Sequence, residues 1–282
     1  MSSNTPPKSP VNPHDPRHSQ ALQRLLTIMN ELREQCPWDR KQTFASLRHL
    51  TIEETYELAD ALLEKDSEEI RKELGDLMLH LVFYARIGAE QGQFDISDII
   101  NGVCDKLIAR HPHVYGDVQA DDEATVKRNW ELLKLKEKGD KPGGVLDGVP
   151  KALPAMIKAW RIQQKVHGVG FDWDNAHQVW DKVNEELAEF SEHIDKAAQP
   201  TATEAASDEF GDILFSLINY ARFVGIDPEA ALEKTNLKFT RRFQTLEKNV
   251  AENGQQLSAL DIDTLETYWQ AAKTQEKDTG NC

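Results

Sequence analysis

Glu54 and Glu57 are spaced three apart in this 282-residue chain, and so, after a short charged break, are Glu73 and Asp76. On a helix, residues three apart share a face, so each pair projects from one side. Glu53 precedes the first pair, and apolar runs follow each pair, Leu58 to Leu63 and Leu74 to Val82. Both segments therefore read as helices with a buried side, and EKDSEE between them as the turn that folds one back on the other. Four carboxylates would then meet at one place. Like charges at short range raise one another's pKa, and burial adds to the cost. A hard divalent cation relieves both, and an oxygen-only donor set points to Mg²⁺ or Mn²⁺ rather than zinc, with substrate phosphates as the usual co-ligands. For one such stretch alone, a solvated acidic helix face is an equally good account.

What shifts the balance is that the pattern occurs twice. NEELAEF matches EETYEL in its acids, so Glu185, Glu186 and Glu189 correspond to Glu53, Glu54 and Glu57. EFGDIL matches ELGDLM, so Glu209 and Asp212 correspond to Glu73 and Asp76. The loop Phe171-Asp172-Trp173-Asp174 matches Cys36-Pro37-Trp38-Asp39, and Tyr220-Ala221-Arg222 matches Tyr84-Ala85-Arg86. Cations recur too: Lys238 and Arg242 match Lys106 and Arg110, each pair four apart on one helix face, and Trp269 and Lys273 match Trp130 and Lys134. Singly, such a cation pair is more often a solvated ion-pair partner and such a tryptophan a packing residue. Packing alone rarely keeps acids, cations and a Trp-Lys pair in register through two divergent halves.

These residues carry a resemblance. The chain resembles the MazG family of nucleoside triphosphate pyrophosphohydrolases through the EExxE…ExxD signature in both halves, the linker VLDGVPKALP and the entry loop VGFDW, and the likeness covers nearly everything after the first residues. It implies an all-α fold, two tandem helical bundles paired into a homodimer, and Mg²⁺-dependent hydrolysis of nucleoside triphosphates to monophosphate and pyrophosphate. By matching positions it implies Glu186, Glu189, Glu209 and Asp212 as metal ligands and Lys182, Lys238, Arg242, Trp269 and Lys273 as nucleotide contacts. In the first half the matching positions are Glu54, Glu57, Glu73 and Asp76, with Lys106 and Arg110 behind them. The family's second repeat is the main catalytic unit and its first more often structural.

The halves differ in a way that agrees with this ranking. Lys182 lies one turn before Glu186, where a cation can reach a metal-held phosphate, whereas the matching residue in the first half is Leu50. Asp212, Ser216 and Asn219 continue one polar face suited to a base or sugar, where the first half has Asp76, His80 and Phe83. TATEAASD, before Glu209, lacks the lysine that some relatives carry there. Glu185 or Glu186 would orient or deprotonate the attacking water.

The elements that must position these groups follow from the pattern. Residues 1–18 hold five of the twelve prolines and read as a disordered tail. Leu22, Leu25, Leu26, Met29 and Leu32 follow helical spacing up to Cys36-Pro37. Gly88 to Phe94 breaks the pattern, Asp95 or Ser97 caps a further helix, and another runs from about Glu123 to Lys138. The stretch 139–154 holds four glycines and three prolines and reads as the linker between an N-terminal repeat, 19–138, and a C-terminal repeat, 155–282. The first helix of the second repeat runs from Met156 to His167.

A net charge of −15 argues against a broad basic nucleic-acid surface. No apolar stretch reaches membrane-span length, no secretory signal is read, and three cysteines without paired spacing fit a reduced cytoplasm. Apolar faces on thin bundles favour a homodimer. The expected function is broad-specificity triphosphate hydrolysis for nucleotide-pool cleansing or control. A non-catalytic nucleotide-sensing or protein-interaction module, and a hydrolase narrowed to dUTP or phosphoribosyl-ATP, stand beside it.

Overall fold

The computed structural model describes residues 12–117, 126, 144–194 and 203–279. Among them the chain is helical, with short 3₁₀ turns and no strand. Contacts divide the chain into two units, Met1–Gln119 and Ala120–Cys282. The expected boundary at 139–154 and the expected helix at 123–138, with Trp130 and Lys134, lie partly or wholly outside the described residues.

In the first unit α1 (Pro16–Gln35) leads, through a 3₁₀ turn at Asp39–Lys41, into α2 (Phe44–Glu64), α3 (Ser67–Glu90), α4 (Ile96–Arg110) and a single turn, α5 (Pro112–Tyr115). α1 starts earlier than the proline count suggested, because Asp15 caps it and Pro16 occupies its first turn, a position where proline costs no hydrogen bond. The α2–α3 link is only Lys65 and Asp66: Lys65 takes the left-handed conformation, φ 59°, and Asp66 caps the backbone N–H groups of Glu68 and Glu69. Met29, Leu47, Val82, Phe83 and Ile87 form the buried core, each such burial worth about 2 kcal/mol. α3 continues through Gly88 to Glu90 where the sequence suggested a break. Gly88 is there for clearance: a Cβ on it would lie 2.6 Å from the Phe94 ring.

The second unit repeats the scheme with α6 (Ala155–His167), α7 (Ala176–His193), α8 (Glu204–Phe223), α9 (Pro228–Glu252) and α10 (Ile262–Thr279). α7 packs along α8, α6 lies against both α8 and α9, and α9 pairs with α10. Asn175 caps α7 and Thr203 caps α8. Gly170, φ 87°, turns the entry loop so that Phe171 N–H donates back to Val166 O at 3.0 Å and closes the C-terminus of α6. Matching tyrosines brace the two hairpins. Tyr84 meets Thr51 Oγ1 at 2.7 Å, and Tyr220 lies 4.8 Å, centroid to centroid, from Trp180.

Candidate active site

In the second unit α7 contributes Glu186 and α8 contributes Glu209 and Asp212, and one carboxylate oxygen from each lies within 4.8 Å of the others. Glu186 is buried, Glu209 half-buried and Asp212 exposed, so the cluster opens from the α7–α8 seam toward solvent. Glu189, one turn on, is outside this trio but within its field: burial and the charges of Glu186 and Glu209 push its carboxyl up. Lys182 reaches in from the preceding turn, its Nζ 2.7 Å from Glu186 Oε1 and 2.9 Å from Glu185 Oε1. Those two contacts hold its ammonium well above the ordinary lysine range. Glu185 itself is exposed beside the cluster.

The first unit brings together Glu54, Glu57 and Glu73, again with oxygens within 4.8 Å. Asp76 is exposed and adds its charge from the edge. Here Leu50 occupies the lysine's place and packs onto the core. Without that cation, burial first, and then the neighbouring carboxylates, push Glu54, Glu57 and Glu73 all upward. Glu73 Oε2 is buried with no hydrogen-bond partner among the described residues, and so is His80 Nδ1, one turn beyond Asp76. Burial holds the His80 imidazole below its usual range, against the pull of Asp76.

Both trios suit a hard cation. Oxygens sharing one octahedral Mg²⁺ sit at most about 4.2 Å apart, so separations up to 4.8 Å close with small rotations of the glutamates. The unpartnered Glu73 oxygen is of the donor type such a cation takes. Nitrogen and sulfur are absent from both trios, which disfavours zinc.

The other expected contacts are more scattered. Lys238 and Lys273 are half-buried. Arg242 is held by Glu276 across the α9–α10 pair, Nε to Oε2 at 2.5 Å, in a groove of about 540 Å³ also lined by Arg241, Lys248 and Glu252. Trp269 leans on Phe239 with centroids 5.0 Å apart. In the first unit Lys106 is exposed and Arg110 half-buried on α4. Ser216 is buried one turn past Asp212, and Asn219 gives its side-chain oxygen to Arg222, which donates to it at 2.9 and 3.1 Å.

Two features escaped the sequence reading. Arg222 also holds the entry-loop carboxylate of Asp172 at 2.5 Å, where His167 approaches from the other side. Gln163, buried on α6, donates from Nε2 to the Phe215 carbonyl at 2.8 Å, while its Oε1 has no partner. Neither signals itself in sequence: the first pair is fifty residues apart, and the second is a glutamine in an amphipathic helix.

Comparison with known proteins converges on the same two hairpins. A model of the MazG nucleotide pyrophosphohydrolase domain matches residues 42–115 and 175–246, windows that contain both acid clusters, Lys182, Lys238 and Arg242. The chain is 43% identical over 262 residues to the nucleoside triphosphate pyrophosphohydrolase of Escherichia coli K12, covering 91% of this chain and 98% of that one. It is 42% identical over 254 residues to the nucleoside triphosphate pyrophosphohydrolase/pyrophosphatase MazG of Thermotoga maritima, covering 89% and 95%. It is also 44% identical over 253 residues to YabN of Bacillus subtilis, of which it covers 51%.

Proposed function

The chain belongs to the MazG nucleotide pyrophosphohydrolase family, and on that premise we propose that it hydrolyses nucleoside triphosphates to the monophosphate and pyrophosphate, with Mg²⁺ as the metal and Mn²⁺ as a substitute. The observation that carries this reading is the second unit's acid trio with Lys182 set against its buried member. Glu186, Glu209 and Asp212 would hold the ion, with Glu189 beside them. The chemistry the ion would supply there is positive charge toward the phosphates and a lowered pKa for a water.

The protein's own groups do the rest. Glu185, exposed next to the trio, is placed to orient a water or take its proton. Lys182 is a compact point charge already delivered to the cluster, suited to charge on the departing pyrophosphate. Arg242 offers a planar fork to the same end once it leaves Glu276. The overall acidity of the chain, −15, makes these few local cations necessary for any polyanionic substrate.

The first unit is assigned a cation-binding role without turnover, because Leu50 replaces the lysine. A second copy of the chain would cover the exposed stripes Leu74, Met78 and Leu81 on α3 and Phe210, Leu214 and Leu217 on α8, each at i, i+4, i+7 spacing. No described helix is long and apolar enough to cross a membrane. The role proposed is control of nucleotide pools in the cytoplasm, across several bases. The test is pyrophosphate release from a panel of nucleoside triphosphates with Mg²⁺ and with EDTA. Release that needs the metal supports the reading, and none from any substrate ends it.

A further inference from the structure

We propose that Gln163 is a specificity-determining residue that accepts a hydrogen bond from the 6-amino group of adenine or the 4-amino group of cytosine, giving a graded preference for these two bases. The inference rests on the reading of the second unit as the triphosphate site. Gln163 is 3% exposed. Its rotamer is settled by chemistry, because the Phe215 carbonyl 2.8 Å away can only accept, so the atom facing it is the NH₂ group and the atom left over is Oε1. That oxygen is buried and has no partner among the described residues. A buried acceptor without a donor is costly and persists where a ligand supplies the donor.

Its position fits such a ligand. Phe215 lies three residues, roughly 4.5 Å of helix rise, beyond Asp212 of the acid trio. Ser216, next to it, shares Asp212's face and is buried. A triphosphate held at the trio and lying along α8 would carry its base toward this level. The first unit offers a contrast: the buried side chain of α1 is Met29, apolar, whereas α6 buries Gln163 and Lys165. The polar substitution occurs in the unit that carries Lys182.

The test compares ATP with purine riboside 5′-triphosphate, in which hydrogen replaces the amino group. In the wild-type protein kcat/KM should favour ATP by roughly tenfold, the scale of one hydrogen bond. Gln163→Met should lower the ATP value by about that factor, leave the analogue's value unchanged and bring their ratio near one. Equal values for the two substrates in the wild type overturn the inference without any variant, as does an unchanged ratio in Gln163→Met. Loss of both substrates in equal proportion by Gln163→Met also overturns it, since a merely structural glutamine would act that way. Absence of pyrophosphate from either substrate in the wild type overturns the hydrolase reading and this inference with it.

Discussion

Lys182 Nζ lies 2.7 Å from Oε1 of Glu186, the buried carboxylate of the second acid cluster. One turn of helix thus sets a cation against the very oxygen that a metal would claim. The ammonium compensates the buried Glu186 carboxylate, and on the proposed reading it would turn toward the phosphates if that oxygen took up an ion. In the first unit Leu50 has no charge to lend, and burial first, then the neighbouring carboxylates, push Glu54, Glu57 and Glu73 upward. This asymmetry generates the first two predictions.

Glu186→Gln removes a buried member of the trio while keeping its shape. Pyrophosphate release should fall by about two to three orders of magnitude, with helical circular dichroism unchanged. Glu54→Gln should cost much less. Equal losses in the two variants would show that the units are ranked wrongly.

Lys182→Met separates metal holding from turnover. The lysine competes with the ion for Glu186, so binding of Mn²⁺ alone, followed by calorimetry on the nucleotide-free protein, should not weaken. Nucleotide turnover should fall by about a hundredfold. Weakened Mn²⁺ binding would place Lys182 in support of the cluster's structure instead.

The carboxyls of the first unit make stability depend on pH. Glu54, Glu57 and Glu73 sit above their ordinary value of 4.5, first through burial and then through one another. Between that value and the raised one, the folded protein holds more protons than the unfolded chain, so stability falls as pH rises. His80 works the other way, since burial lowers it from 6.5 and its contribution is lost on acidification through that range. In EDTA, the loss of Tm as pH rises from 4.5 through the raised carboxyl range should be smaller in Glu73→Gln than in the wild type, a comparison in which His80 largely cancels. Mg²⁺ should raise the wild-type Tm more at the higher pH. A Glu73→Gln protein with the wild-type pH slope would contradict the coupling.

Much of this was legible before any coordinates. The acids announce themselves because helical spacing is rigid: three residues apart means one face, so EExxE and ExxD bring acids of both helices together, although spacing alone did not say that Glu189 and Asp76 would stay outside the two trios. Lys182 and Leu50 were legible for the same reason, being one turn from known positions. Long-range partners were not. Asn219 looked like a ligand group on Asp212's face, yet its oxygen is engaged by Arg222. Arg242 looked available, yet it is paired with Glu276 on the neighbouring helix. Gln163 drew no reading at all, because a polar residue in an amphipathic helix gives no sign of which face a third helix will cover. Gly88 read as a break, although the helix needs it only to let Phe94 approach.

The entry loop supplies the last prediction. Asp172 and Arg222 have side chains 15% and 13% exposed, at 2.5 Å, and they tie the turn after α6 to α8. Burial, the largest single influence, would raise the Asp172 carboxyl, but the Arg222 hydrogen bond, the Trp173 backbone N–H and the charges of Arg222 and His167 together outweigh it and hold the group below its ordinary 3.8. A depressed carboxylate stabilises the fold above that value and loses the contribution as pH falls through the depressed one. At neutral pH Asp172→Asn should therefore cost about 1–3 kcal/mol, since it leaves a mostly buried guanidinium short of its anion. Urea unfolding measures the cost, and fluorescence of Trp173, half exposed in the same loop at 46%, reports whether the turn loosens first. The difference from the wild type should shrink as pH falls below 3.8 and through the depressed value, where the native carboxylate takes up its proton. A constant difference across that range, or none at neutral pH, would mean that the loop is held by its backbone bonds to Val166 and His167 alone.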